Sequence, residues 1–270
     1  MERGQYTEIE FEKAYERIER RLIENISITK EKRAFILGGQ PGAGKSGLTA
    51  VLEGENKNLI LINADEFRKK HPHYKELKEE FGDEYVAHTQ KFIGKMTETL
   101  IDRLSTKGYN IIVEGTLRTK EAPLKTRDIL KSKGYDVELC IIQVRPEDSL
   151  LGTHQRYEKM IELGTVARGT PKEAHNIVIK TLPENLSFLY NGGYFSDIRI
   201  YNRELECLYS MKKTPEIDPG ILMKREFERV LTESEKENLK VKYNKLIEKM
   251  EKRDATSQEI ERILEEKREI

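Results

Sequence analysis

A glycine-rich segment at residues 39–46 has the spacing G-x-x-x-x-G-K-S, which is typical of a loop that binds nucleotide phosphates. The glycines let backbone N–H groups close around a phosphate, and Lys45 can reach the β and γ oxygens. Ser46 is the predicted magnesium ligand. We therefore predict that ATP, with GTP the less favoured donor, binds with Mg²⁺ to the loop. Its residues are Gly39, Gln40, Pro41, Gly42, Ala43, Gly44, Lys45 and Ser46.

Two carboxylates follow apolar runs further along the chain. Asp65 comes after the run at 58–62, and Glu114 comes after the run at 109–113. The carboxyl ends of parallel strands share one edge of a sheet, and ligands bind there. Phosphoryl transfer needs a base that takes the proton of the acceptor hydroxyl, and Asp65 is the first candidate, with Glu114 the second. Two other roles stay open: Asp65 as the cap of a helix that begins at Glu66, and Glu114 as a magnesium ligand through water.

The segment 145–172 reads as two helices joined by a glycine-flanked turn, and two of its arginines are candidate catalytic residues. The second helix is predicted to begin with a capping box from Thr170 to Glu173. Arg156 lies on the first helix and Arg168 lies at the turn. This arrangement is typical of a mobile lid that carries arginines over phosphates, although exposed arginines without a catalytic role are also common.

Apolar runs alternate with helical periodicity along most of the chain. This alternation predicts an α/β fold of the kinase-like P-loop NTPase type, with a mostly parallel sheet flanked by helices. Beside the strand that leads into the loop, further strands are predicted at 58–62, 109–113, 137–144, 196–201 and 207–209. Helices are predicted directly after the loop and at 83–107, 120–133 and 145–163.

The two ends of the chain are predicted to be helical. Residues 7–26 have an amphipathic pattern with a capping box from Thr7 to Glu10, and the apolar face either packs on the domain or meets a partner. Residues 215–270 are dense in Lys and Glu with a thin apolar stripe, which indicates a helical extension with solvated faces. We therefore divide the chain into a kinase domain at 1–214 and an extension at 215–270.

Composition excludes several classes of protein. The 270 residues include 48 basic and 48 acidic side chains, so no net charge favours nucleic acid or a membrane surface. Cys140 and Cys207 form neither a disulfide framework nor a zinc spacing, which suits a reducing compartment such as the cytoplasm. No stretch approaches the ~18 consecutive apolar residues of a membrane span, and no secretory apolar core is present near the start.

Several separated motifs together resemble the zeta toxin family, the UDP-N-acetylglucosamine kinases of bacterial toxin–antitoxin systems. The similar segments follow the family order and cover roughly residues 7–210. They are FILGGQPGAGKS from residue 35, DEF from 65, HP from 71, KMTE from 95, YN from 109, EGTLR from 114, RYE from 156, ARGTPK from 167 and FSDIRIYNR from 195.

The resemblance implies an ATP-dependent kinase that phosphorylates the 3′-hydroxyl of the amino sugar in UDP-N-acetylglucosamine, a toxin whose product blocks peptidoglycan synthesis. It implies that Lys45 and Ser46 hold the ATP phosphates and Mg²⁺, that Asp65 is the base, and that Arg156 and Arg168 neutralise the transferring charge. The residues implied to line the sugar-nucleotide pocket are Asp65, Glu98, Glu114, Thr116 and Arg118.

Two positions depart from the family pattern. Asn63 stands where the family often has an aspartate, and Gly169 follows Arg168 where alanine is more usual. Neither departure removes an implied catalytic residue. The resemblance also implies a small helical antitoxin that binds near residues 7–26.

Two other functions stay open from the sequence alone. The same scaffold supports kinases for other small acceptors and for polynucleotides. A polynucleotide kinase needs a basic track for the strand backbone, and residues 65–118 carry many carboxylates among their lysines, so nucleic acid is not expected as a partner. A nucleotide-binding module without turnover needs the phosphate loop but neither a base nor a lid.

Overall fold

The computed structural model describes residues 4–165, residue 167 and residues 169–270. A six-stranded sheet with helices on both faces forms its centre. The strands are β1 (Arg33–Gly38), β2 (Leu59–Ile62), β3 (Asn110–Glu114), β4 (Asp136–Ile142), β5 (Asp197–Tyr201) and β6 (Cys207–Ser210).

The helices fall between and after the strands, with two short 3₁₀ turns at Arg68–Lys70 and Gly82–Glu84. They are α1 (Glu8–Ile23), α2 (Lys45–Glu55), α3 (Ala64–Phe67), α4 (Tyr74–Phe81), α5 (Tyr85–His88), α6 (Gln90–Lys107), α7 (Glu121–Ser132), α8 (Pro146–Glu162), α9 (Lys172–Asn191), α10 (Pro219–Glu228), α11 (Glu233–Lys252) and α12 (Ser257–Arg268).

The sheet has the order β2-β3-β1-β4-β5-β6. The first five strands run parallel, and β6 pairs with β5 in the antiparallel sense. Leu37 of β1 lies in register with Glu114 of β3, so the loops that follow these strands leave the sheet at the same edge. This architecture confirms the predicted α/β fold with a mostly parallel sheet.

Each face of the sheet carries its own apolar cluster. Along β1, Ala34 and Ile36 face the larger cluster with α1, α6 and α9, whereas Phe35 and Leu37 face a smaller cluster with α2. Because both faces are covered, the strands consist of nearly continuous apolar residues. The continuous runs in the sequence therefore marked these strands correctly to within one or two residues.

The helix predicted at 83–107 is wrong as a single element. A 3₁₀ turn, the short helix α5 and a turn at Thr89 precede α6, which begins at Gln90. The Thr89 side chain is buried and bonds to Arg68 and Tyr85 rather than capping α6. Helix α4 also lies in a stretch for which no helix was predicted.

The two predicted capping boxes have different outcomes. Thr7 and Glu10 form the box at the start of α1. The box from Thr170 to Glu173 is wrong, because Pro171 is the N-cap of α9 and makes no side-chain capping bond. The Thr170 hydroxyl instead accepts a hydrogen bond from Arg156 Nη2 at 3.1 Å.

Residues 219–268 form the helices α10, α11 and α12, which pack against the rest of the protein. Helix α10 packs against α9, and α11 and α12 form an apolar cluster with Leu151 of α8. Buried Glu158 of α8 accepts two hydrogen bonds from Arg253 at 2.7 and 2.9 Å. The division of the chain at residue 215 stays a prediction. Within the described ranges, we find no helix with the length and apolar character needed to span a bilayer.

Candidate active site

The loop between β1 and α2 has the backbone of a phosphate cradle. Gly39, Gly42 and Gly44 have φ angles of 138°, 78° and 101°, which favour glycine. A Cβ on Gly42 would overlap the Ser149 carbonyl oxygen of α8, so glycine is also required there for close packing. In the structure as described, helix α2 begins without a side-chain cap and has no acidic residue in its first turn. Its N-terminal N–H groups and dipole therefore favour an anionic ligand.

Lys45 lies in the first turn of α2 and folds back over the loop. Its Nζ donates to the carbonyl oxygens of Gly39 at 2.9 Å and Gln40 at 3.2 Å. Burial lowers the pKa of Lys45 to about 8, while the Glu114 carboxylate opposes this shift. The neighbouring Ser46 is exposed, so its hydroxyl is free to reach a metal ion beside the phosphates.

Contacts with other segments of the chain hold the loop in place. Buried Gln40 donates to the Val144 carbonyl and to Ser149 Oγ. Arg203 Nη2, from the loop between β5 and β6, donates to the Gly42 carbonyl oxygen at 2.7 Å. Ala43 is fully buried, and Pro41 lines the adjacent cleft. The cradle is thus fixed from both sides before any ligand binds.

Asn63, at the end of β2, connects the two candidate carboxylates. Its Oδ1 accepts from the Asp65 N–H at 3.0 Å, which makes Asn63 the N-cap of α3. Its Nδ2 donates to Glu114 Oε2 at 2.8 Å. The alternative that Asp65 caps a helix is therefore wrong, because Asn63 performs that role.

A buried guanidinium orients Asp65. Arg68 Nε donates to Asp65 Oδ1 at 3.2 Å, and the side chain of Asp65 is 58% exposed while that of Arg68 is 8% exposed. The other Arg68 nitrogens donate to the Val86 carbonyl oxygen at 2.9 Å, Thr89 Oγ1 at 3.0 Å and Gln90 Oε1 at 3.1 Å. Because Arg68 is held by these bonds, its hydrogen bond keeps the Asp65 carboxylate oriented on the cleft wall.

Glu114 lies at the end of β3, close enough to Lys45 and Asp65 for their charges to interact. Burial raises the pKa of Glu114, the Lys45 ammonium opposes this, and the Asp65 carboxylate adds to it. Asp65 and Glu114 thus differ in environment: one is exposed, and the other is partly buried and near a cation. Such a difference is how neighbouring carboxylates take separate roles.

These groups line one large cleft with a volume of about 1170 Å³. Thr116 and Arg118 lie on its wall, with the Arg118 N–H donating to Thr116 Oγ1 at 3.4 Å. Helix α12 forms another side of the cleft, a position that the sequence of residues 215–270 does not predict. The charged lining residues are Lys45, Asp65, Arg68, Glu114, Arg118, Arg156, Lys172, Glu173, Arg262, Glu265, Glu266 and Glu269.

The remaining candidate residues differ in their placement. Arg156 of α8 is on the cleft wall, and its charge acts on both Lys45 and Glu114. Glu98 is outside the lining of the cleft and forms an ion pair with Lys125 at 2.5 Å on the surface. Arg168 lies outside the described residues. The motion of a lid at 145–172 stays a prediction.

The comparison with known families agrees with this geometry. A family model described as Zeta toxin matches residues 19–214. The chain belongs to the zeta toxin family. It is therefore a kinase-like toxin with a nucleotide-binding fold, and the resemblance drawn from the separated sequence motifs is confirmed.

Individual zeta toxins are similar over most of their length. Toxin zeta of Enterococcus hirae is 42% identical over 216 residues, which covers 79% of this chain and 76% of that protein. Toxin PezT of Streptococcus pneumoniae is 39% identical over 254 residues, covering 93% of this chain and 100% of that protein. A solved structure of the pneumococcal PezAT toxin–antitoxin system superimposes with a TM-score of 0.84 at 36% identity, over 93% of this chain and all of that one.

Sequence reasoning missed two kinds of residue in this zeta toxin site. Arg68 stands three residues after Asp65 on a helical segment, a spacing that brings side chains together, so a signal for it was present. Lys172 and Arg203 end two of the segments that resemble the zeta toxin family, so a signal for them was present although neither was assigned a role. The residues of α12 reach the site through tertiary packing, and no local pattern in the sequence marks them.

Proposed function

We propose that this zeta toxin transfers the γ-phosphoryl group of ATP to the 3′-hydroxyl of the amino sugar in UDP-N-acetylglucosamine. The observation that carries the proposal is the meeting of Lys45, Asp65, Glu114 and Arg156 on one cleft at the carboxyl ends of β1, β2 and β3. A phosphate cradle alone would bind nucleotide. An oriented carboxylate and an arginine on the same cleft add what transfer requires.

The size of the cleft supports two substrates. Its volume of about 1170 Å³ exceeds the ~300–1,000 Å³ that is usual for one small ligand. The donor end has the backbone N–H groups of the loop and Lys45. The acceptor end has Thr116 and Arg118, and a guanidinium suits the diphosphate of a sugar nucleotide.

In this proposal Asp65 accepts the proton of the sugar hydroxyl, and the hydrogen bond from Arg68 keeps the Asp65 carboxylate directed at that hydroxyl. Lys45 and Arg156 stabilise the charge on the transferring oxygens, and Arg168 is proposed to join them. Ser46 would hold Mg²⁺, which neutralises charge on the β and γ oxygens when bound. Glu114, held by Asn63, would orient the acceptor by hydrogen bonding to the sugar.

The biological role would be that of a toxin acting in the cytoplasm, where the phosphorylated sugar nucleotide blocks peptidoglycan synthesis. We also propose that a helical antitoxin binds beside α1. A groove of about 720 Å³ runs between α1 and the edge strand β2. Among described residues, the cations on its rim have no ion-pair partner, which favours an acidic partner surface. They are Lys13, Arg17, Arg21, Lys69 and Lys70.

The acceptor is tested directly with the pure protein. It is incubated with labelled ATP, Mg²⁺ and a panel of UDP-sugars, free sugars, nucleotides and 5′-hydroxyl oligonucleotides, and each product is resolved. We expect label on UDP-N-acetylglucosamine and little on sugars without uridine diphosphate. Label on oligonucleotides alone would replace the proposal by a polynucleotide kinase, and ATP binding without any transfer would leave a binding module.

The antitoxin surface is tested separately. The double variant Arg17→Glu with Arg21→Glu should keep both kinase activity and toxicity, because these side chains lie on the groove and away from the cleft. It should no longer be neutralised by the antitoxin that protects cells from the wild type. Full protection from the double variant would exclude this groove.

A further inference from the structure

The loop after β3 contains a residue in an unfavourable backbone conformation. Leu117 lies between Thr116 and Arg118 with φ of 55°, in the left-handed region that residues with a branched side chain rarely occupy. It is buried, at 4% exposure, and does not line the cleft itself. This conformation turns the chain so that Thr116 and Arg118, on either side of Leu117, both reach the cleft wall.

Such a conformation persists only where its surroundings fix it. The Leu117 side chain packs against the backbone of Gly38, where an added Cβ would lie 2.9 Å from Leu117 Cδ1. On the other side, Asn185 Nδ2 donates to the Leu117 carbonyl oxygen at 2.9 Å. Just before the turn, the Gly115 N–H donates to the Leu37 carbonyl oxygen at 3.0 Å.

Asn185 lies on a part of α9 that is itself braced. Pro183, two residues earlier, is within the helix, and Gly220 of α10 packs so closely that a Cβ there would overlap the Pro183 carbonyl oxygen and Ser187 Oγ. Ser187 Oγ donates to Asp218 Oδ1 at 2.8 Å. The amide of Asn185 therefore projects from a rigid support, although Asn185 does not line the cleft.

We propose that Asn185 is a positioning residue for the acceptor: its hydrogen bond holds Leu117 in the left-handed conformation that presents Thr116 and Arg118 to the sugar nucleotide. The inference rests on the proposed function, since it assumes that these two side chains bind the acceptor. Only the amide nitrogen can perform this role, because a carbonyl oxygen needs a donor. The phosphate cradle is separate from this contact, so the binding of ATP should not depend on it.

The test compares Asn185→Asp and Asn185→Ala with the matched variant Asn191→Ala. Asn191 lies on the same helix and donates to a backbone carbonyl oxygen in the same way, at 2.9 Å, but its acceptor is Ser187 within α9. Asn185→Asp keeps the shape and loses the donor, and it stands in if the alanine variant does not fold. Asn185→Gln keeps a donor and is the conservative variant.

Two measurements are made on each full-length variant. Hydrogen exchange of the amides at 115–118 should become at least about tenfold faster in Asn185→Asp and remain unchanged in Asn191→Ala. The KM for UDP-N-acetylglucosamine should rise by roughly tenfold with kcat within about threefold and the Kd for ATP unchanged, and Asn185→Gln should recover part of that loss.

Each outcome decides the matter. Unchanged exchange at 115–118 in Asn185→Asp would overturn the proposal, as would an equal effect on the KM values for both substrates, which signals general destabilisation. If the wild type does not phosphorylate UDP-N-acetylglucosamine, the proposed function fails. The exchange measurement then still decides whether Asn185 holds the loop, and the acceptor found in the panel replaces the sugar nucleotide in the KM comparison.

Discussion

The donor and acceptor sides of the cleft are built in different ways. On the donor side the glycines and the lysine come from one continuous segment, β1 with its loop and the start of α2, and Ser149 and Arg203 brace that loop from other parts of the chain. The acceptor side combines the ends of β2 and β3, which are distant in sequence. Hydrogen bonds between distant segments hold it together: Asn63 to Glu114, Arg68 to the start of α6, and Asn185 of α9 to Leu117. ATP binding therefore depends mainly on residues that are contiguous in the sequence, and acceptor binding depends on residues that tertiary contacts bring together.

Because the two sides are built differently, the chemistry of transfer should be separable from ATP binding. Asp65→Asn keeps the size of the side chain and removes the base, so we expect turnover to fall by ~10²- to 10⁴-fold. The Kd for ATP, measured by calorimetry, should stay within about twofold, because the loop and Lys45 are untouched.

A neighbouring carboxylate provides the control for Asp65. Glu66 is exposed and faces the groove beside α1 rather than the cleft. Glu66→Gln should retain turnover close to that of the wild type. Activity of Asp65→Asn within a few-fold of the wild type would instead assign the base to Glu114.

The acceptor side should also carry more of the stability. Replacing Arg68 with Met removes four hydrogen bonds from a buried guanidinium, among them one of the two that the Val86 carbonyl oxygen accepts. We expect the free energy of unfolding to fall by about 2–4 kcal/mol and turnover to fall with it, because Asp65 loses its support.

The control for Arg68 is an arginine with similar bonds on the surface. Arg103 binds Glu12 in a bidentate pair at 2.7 and 2.8 Å, with its side chain 41% exposed. Arg103→Met should cost less than about 1 kcal/mol in denaturant unfolding. Equal losses for both variants would mean that burial of Arg68 contributes nothing special to the acceptor side.

This contrast explains how much the sequence predicts. The loop, the strands and the ends of β2 and β3 were predictable because apolar runs and glycine spacing are local signals. Glu98 matches a family motif, yet its side chain pairs with Lys125 outside the cleft. A sequence motif does not determine in which direction a side chain of the helix points. The charge pattern of α12 predicts a solvated extension, because nothing in that pattern reveals that the helix lines a cleft formed by other segments.

The donor side should show a characteristic dependence of ATP affinity on pH. Burial lowers the pKa of Lys45 to about 8, so the ligand-free protein loses this charge as the pH rises through that value. Phosphate oxygens favour the ammonium, so the pKa rises when ATP binds. Between these two values, ATP affinity should fall about tenfold per pH unit, as measured by calorimetry from about pH 6.5 to about pH 9.5.

Two variants sharpen this measurement. Lys45→Arg keeps its charge over the whole range, so its ATP affinity should be nearly independent of pH. Glu114→Gln removes the carboxylate that supports the lysine charge, so the fall in affinity should begin at a lower pH than in the wild type. A fall at the same pH in the wild type and Lys45→Arg would assign it to another group.

The smallest expected effect concerns Asn63, which performs two functions with one side chain. Asn63→Ala removes both the cap of α3 and the donor to Glu114, and the loss of a cap typically costs about 1 kcal/mol. Asn63→Asp keeps an oxygen for the Asp65 N–H but cannot donate to Glu114, and its charge should raise the pKa of Glu114 further. We therefore expect Asn63→Ala to lower the melting temperature by about 2–4 °C and Asn63→Asp to lower it less.

The two Asn63 variants should nevertheless share one defect, a few-fold higher KM for the acceptor, because both leave Glu114 without its donor. Thr232→Ala is the matched control, since Thr232 caps α11 through the same kind of bond at a distance from β2 and β3. It should match Asn63→Ala in stability and leave both KM values unchanged. If Thr232→Ala raised the KM for the acceptor equally, the acceptor side would depend on overall stability rather than on the link between Asn63 and Glu114, and the contrast with the donor side would fail.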